Sequence, residues 1–149
     1  MIPGSLNNDL YFNLDRASLL MRRQVLEVLN EYEVSPEQWE ILQYLDEQNG
    51  ISQSKLTRVT LKDKGNVSRI VARMVRDGWV ERRSSSVDSR TVLLFLTPKG
   101  AKIRDRVPAQ LHRQTDTLLI PLDNNERGEL LQTLKKLRVL LGDNNVVDS

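Results

Sequence analysis

The chain has 149 residues, room for one domain with a real core, and its 39% apolar and 28% charged residues are an ordinary water-facing balance. It holds no cysteine and a single histidine, His112, which excludes disulfides, thiolate zinc sites and a thiol redox sensor and argues against a His-based metal site or a Ser-His pair; no cofactor is expected. The net charge of +2 is unevenly spread: residues 1–50 carry three Lys/Arg against nine Asp/Glu, residues 51–90 ten against four, and residues 91–149 nine against seven.

A basic middle in a nearly neutral chain is what a local polyanion-binding surface needs, although a solvated charged face has the same composition. No apolar run approaches the roughly 20 residues of a membrane span and the N-terminus does not read as a signal peptide, so a cytoplasmic protein without a membrane partner is expected.

Residues 1–8 are short and polar and are expected to be loose. A helix is signalled from about Asp9 to Tyr32, with Leu10, Leu14, Ala17, Met21, Val25 and Val28 on one stripe and Leu19, Leu20 and Leu26 on a second side. Two apolar sides must be covered twice, by the chain's own domain and by a partner subunit. Ser35-Pro-Glu-Gln38 starts the next helix, with Ser35 as cap, Pro36 in the first turn and Gln38 completing a capping box. Trp39, Ile41, Leu42 and Leu45 supply its buried side, and Asn49-Gly50 ends it. Ser52 caps a short third helix carrying Leu56 and Val59 inward. Asp63 caps a fourth, which runs to about Asp77 and is stopped by Gly78.

Two extended runs follow, Trp79 to Arg83 and Thr91 to Leu96, joined by a polar, turn-prone stretch, and they read as a hairpin with a long tip. Thr97-Pro98 opens a further helix towards Leu119, which Pro108 is expected to kink or interrupt. Asp123 and Glu126 form another capping box, followed by the stripe Leu130, Leu134, Leu137 and Leu141. From Gly142 the tail is polar.

The order is mainly α with one small β-hairpin: a winged helix-turn-helix lobe over residues 35–96, inside a single domain spanning 1–149. The flanking helices, residues 9–34 and 97–141, hold more apolar surface than a small core can use. A two-fold homodimer is the simplest way to bury it.

The fourth helix carries the candidate site. Val67, Ile70, Val71, Met74 and Val75 share one face. The other collects Lys64, Gly65, Asn66, Ser68, Arg69, Ala72, Arg73 and Arg76. Duplex DNA asks for cations along its backbone and a narrow element that fits the major groove, and such a helix meets both demands. Gly65 leaves the backbone bare at the end that enters the groove. Asn66 has the geometry to pair with adenine and Arg69 with guanine or a phosphate. Taken singly, each has a plainer role: Asn66 in the first helical turn, Gly65 as a neutral surface position, Arg73 and Arg76 as solvated or acid-paired cations.

Ser52, Gln53 and Ser54 offer phosphate contacts, or simple capping. On the hairpin, Arg83 and the Asp88-Ser89-Arg90 turn offer a second contact, with Arg90 reaching a minor groove and Asp88 bracing the turn. An enzyme would need convergent acids, bases or nucleophiles, and the carboxylates here are scattered over helix starts and solvent faces. A winged helix used for protein contact would show apolar anchors on the fourth helix in place of these polar groups, so double-stranded DNA is the expected partner.

Ile51-Ser-Gln-Ser-Lys-Leu56, Asp63-Lys-Gly-Asn-Val-Ser-Arg-Ile-Val71, Arg76-Asp-Gly-Trp-Val-Glu-Arg-Arg83, Asp88-Ser-Arg90 and Leu96-Thr-Pro-Lys-Gly100, in that order and spacing, resemble the MarR family of bacterial transcriptional regulators, over essentially Asp9 to Leu141. The resemblance implies a homodimer on a pseudo-palindromic operator, usually a repressor, with Asn66, Ser68 and Arg69 in the major groove and the Asp88–Arg90 turn as wing. It also implies a small, often aromatic anion bound between the dimerisation helices and the DNA-binding lobe. Tyr11, Arg16, Trp39 and Tyr44 are candidates for that effector site, with core or interface packing and a surface salt bridge as the competing reading.

Overall fold

Local chemistry starts most of the helices in the computed structural model, which describes residues 1–146. Asp9 accepts the Phe12 amide at 2.7 Å and opens α2 (Leu10–Glu31), after a single turn α1 (Gly4–Asn7) where a loose segment was expected. Ser35 and Gln38 close the expected capping box on α3 (Pro36–Glu47). Ser52 caps α4 (Gln53–Thr60) and Asp63 caps α5 (Lys64–Arg76), each accepting the amide three residues on. Thr97 caps α6 (Pro98–Arg106). Each such cap satisfies an amide that the helix itself leaves open.

The strands make a sheet of three, one more than the hairpin read from sequence. β2 (Val80–Ser84) pairs antiparallel with β3 (Val92–Leu96), placing Val80 opposite Leu96 and Arg82 opposite Leu94. The two-residue β1 (Ile51–Ser52) joins the other edge of β3, with Ile51 opposite Leu94. Two residues have no periodicity to detect, and this pairing spans more than 40 residues of sequence. Gly50 and Gly78, at φ +96° and +78°, make the turns out of α3 and α5, where an L side chain would be strained.

Residues 1–111 form one compact unit. Its core joins Leu29 at the end of α2, Ile41, Leu42 and Leu45 of α3, Leu56 of α4, Val67, Val71 and Met74 of α5, and Ile51 and Leu94 of the sheet. Trp79 and Val107 seal its edges. Helix α6 closes onto it through Gly100, where an added Cβ would lie 2.0 Å from the Trp79 carbonyl oxygen. The break at Pro108 is complete: α6 ends at Arg106, Val107 is buried, and Pro108 is the first residue of α7 (Pro108–Leu119).

The described residues from His112 onward form a second compact unit. Its main element is α8 (Asn124–Leu140), started by the Asp123–Glu126 capping box. No residue of α8 is buried. Arg138 holds Asp143 at 2.8 Å just beyond the helix end. That hydrogen bond, after the one from the Asn145 amide, keeps the Asp143 carboxyl below its usual range. The last three residues of the polar tail, 147–149, lie outside the described ones. Among the described residues no helix is long and apolar enough to cross a membrane.

Candidate nucleic-acid interface

Helix α5 divides cleanly along its length. Val67, Val71 and Met74 are fully buried, while Lys64, Gly65, Arg69, Arg73 and Arg76 are exposed and Asn66 and Ser68 are half-buried beside them. The aliphatic face locks the helix to the core and so fixes the direction of the polar one. Asn66 and Arg69 meet on it, the guanidinium donating to the Asn66 Oδ1 at 2.9 Å. Gly65 is open: a Cβ there would meet only the Asp63 carboxylate, at an ordinary 3.5 Å. The backbone at this helix start can therefore come close to a large ligand.

The preceding helix is tied to α5 through polar side chains. Gln53 donates to the Ser68 hydroxyl at 3.1 Å, so both belong to the joint between the two helices as well as to its surface. Ser52 is engaged as the α4 cap and lies 3.3 Å from the Ser54 hydroxyl. Ser54 itself is exposed. Gln53, Ser54 and Lys64 then face Arg90 and Thr91 of the wing across a cleft of about 400 Å³. Thr57 shares that cleft, a residue that sequence reasoning passed over because it carries no charge and lies inside a helix.

In the wing the Asp88 carboxylate accepts the Arg90 amide at 3.0 Å and the Arg90 Nε at 3.3 Å, while the Arg90 side chain stays 90% exposed. Asp88 is thus a brace and Arg90 projects from it. Arg83 sits differently. Its guanidinium lies 4.3 Å from the centre of the Phe95 ring and pairs with Glu81, so it is held against the sheet. Val87 at the tip is almost fully exposed, and nothing in the sequence had singled it out.

The four residues suggested for an effector have different settings. Tyr11 is exposed, and Arg16 lies 5.7 Å over the Phe12 ring on the same first half of α2. Trp39 belongs to the core, and the Tyr44 hydroxyl donates to the Val59 carbonyl at 2.9 Å. None of the four lines the larger cleft, about 540 Å³, that opens between α2 and α3. Leu19, Val25, Leu26 and Pro36 give that cleft its apolar part, and Arg22, Arg23 and Lys62 face Glu37 and Glu40 around it. Among the described residues no cluster of His, Cys, Asp and Glu could hold a metal ion.

Comparison with known proteins agrees with this geometry. A family model described as the MarR family matches residues 32–91. The multiple antibiotic resistance protein MarR of Salmonella typhimurium is 30% identical over 132 residues, covering 83% of this chain and 90% of that protein. The HTH-type transcriptional regulator BilQ of Clostridium symbiosum is 33% identical over 94 residues, 63% of this chain and 65% of the regulator. Among solved structures, the transcriptional repressor CouR bound to a 23-mer DNA duplex superposes with a TM-score of 0.83 at 26% identity, over 92% of this chain and 97% of that one.

Proposed function

The chain belongs to the MarR family of DNA-binding transcription regulators and is not an enzyme, and from that premise we propose that it acts as a homodimeric repressor in the cytoplasm, released from its operator by a small anion. The observation that carries the proposal is α5: a helix pinned by Val67, Val71 and Met74, with Lys64, Asn66, Arg69 and Arg73 turned outward. Such a helix enters the major groove by its N-terminal end, where the open Gly65 lets the backbone approach. Asn66 and Arg69 read bases there. Lys64, Ser54 and Thr57 hold phosphates beside them, and Arg90 reaches into the neighbouring minor groove.

A second copy is asked for by the apolar side chains that one chain leaves open: Leu10, Leu19 and Leu20 on α2, and Leu130, Leu131 and Leu140 on α8. Two copies related by a two-fold axis present two recognition helices to two half-sites about one helical turn apart. The α2–α3 cleft is the place for the effector. Its volume falls in the range of small-molecule sites, and its apolar part is ringed by three cations and two acids.

Selection of bound duplexes from a random library, followed by a salt titration, tests the reading. The expected product is an inverted repeat whose affinity falls steeply with salt. Recovery of no enriched sequence, with weak binding indifferent to salt, would replace DNA by a protein partner.

A further inference from the structure

Lys62 stands at a junction. Its ammonium lies 2.6 Å from the Glu40 carboxylate of α3, with only about a quarter of the Lys62 side chain (23%) and a third of the Glu40 side chain (33%) exposed. The same lysine lines the α2–α3 cleft and also a second cavity of about 350 Å³, where it shares the wall with Asn66, Arg69 and Arg73 of α5. Glu37 borders both cavities too. Along the chain, Lys62 lies between Leu61, held at φ +57°, and Asp63, whose carboxylate caps α5 through the Asn66 amide. Among the described residues this pair is the charged link between α3 and the turn that starts the recognition helix.

We infer that the Glu40–Lys62 pair is the lever by which the α2–α3 cleft acts on DNA binding: an amphiphilic monoanion seated in the cleft takes Lys62 from Glu40 and releases the start of α5. The inference rests on the operator and effector readings above. An apolar body fits against Leu19, Val25 and Leu26, and its carboxylate competes with Glu40 for a cation that is already partly desolvated. Once Lys62 turns to the anion, the turn at residues 61–63 loses its tether to α3. The left-handed Leu61, which ends α4 and gains little from burial, is then free to relax. Asn66 and Arg69, one helical turn on, lose their fixed place.

Benzoate is the probe, a ring with one carboxylate, and calorimetric titration of the full chain is the first measurement. Glu40→Gln removes the competing carboxylate and is expected to bind benzoate about threefold to tenfold more tightly than the wild type, and Lys62→Met by a similar factor more weakly. Because this arm involves no DNA, it tests the exchange of Lys62 between Glu40 and the anion even where the operator reading fails. In fluorescence anisotropy without benzoate, Glu40→Gln is expected to weaken operator binding about threefold to tenfold, and the charge swap Glu40→Lys/Lys62→Glu to restore it. Benzoate should weaken the wild-type complex and leave that of Lys62→Met unchanged. Lys62→Gln replaces the methionine variant if thermal melting shows the latter to be unfolded.

Equal benzoate affinity in all three proteins, or no binding to the wild type up to about 20 mM, overturns the inference. So does a Glu40→Gln protein that binds the operator as well as the wild type or better, since Lys62 would then be a plain phosphate contact that Glu40 merely restrains.

Discussion

Arg69 is the residue at which the proposed base reading separates most sharply from mere phosphate holding. Its guanidinium is already directed by the Asn66 amide oxygen, 2.9 Å away, so in the proposed complex it would meet a base edge with little ordering left to do. Arg69→Ala is therefore expected to relax discrimination between the operator and its single-base variants by about 1–3 kcal/mol, as well as to weaken binding. Competition titrations measure this, and an equal loss on every duplex would make Arg69 a phosphate contact instead. Gly100 is the opposite kind of residue, remote from DNA and fixed by packing alone. A methyl group there would sit 2.0 Å from the Trp79 carbonyl oxygen, a backbone atom that cannot step aside without moving the strand start. Gly100→Ala should cost about 3 kcal/mol or more of stability, visible as a fall in Tm, and an unchanged Tm would mean that α6 shifts without penalty.

At the scale of elements, the turn between α4 and α5 combines two tensions in one residue. Leu61 is left-handed at φ +57° and 74% exposed, so it bears backbone strain and returns little burial. Leu61→Asn keeps the turn with a residue that tolerates this conformation, and a gain of about 1 kcal/mol is expected in urea unfolding. A loss would show that the leucine packs on something the single chain does not contain. The turn also shows which features a sequence makes legible. Ser35 with Gln38, Asp63, Thr97 and Asp123 with Glu126 were all readable as helix starts, because a cap and its target lie within three residues. The α5 faces were readable because 3.6-residue periodicity separates Val67 and Val71 from Lys64 and Arg69. The β1 strand, the stacking of Arg83 on Phe95 and the Glu40–Lys62 pair were not, since each joins residues that only the folded chain brings together. The settings of Trp39 and Tyr44 were not legible either: burial places one in the core, and a hydrogen bond ties the other to Val59.

For the whole molecule, charge and apolar surface bear on the proposed two-fold assembly. The first fifty residues carry nine acids against three cations and the next forty carry ten cations against four acids, so the charge suited to phosphate falls on the segment that holds α5 and the wing. A protomer alone offers one recognition helix and one wing. Two protomers double the phosphate contacts and make the second half-site an intramolecular partner, which raises avidity by about 10²–10⁴ without any new kind of contact. That gain vanishes if the subunits part. Leu10 and Leu140 are 80% and 83% exposed in the single chain, so charging them leaves its own core intact. The double variant Leu10→Glu/Leu140→Glu is therefore expected to keep the helical content and Tm of an isolated chain and to sediment as a monomer. Its operator affinity should fall at least about a hundredfold, and its salt dependence should shrink to roughly half the wild-type slope, because half the phosphates are engaged. A variant that sediments as a monomer but keeps the full slope and affinity would show that each chain reads its half-site unaided, and would remove dimerisation from the mechanism of binding. A variant that remains dimeric would place the subunit contact on other leucines of α2 and α8.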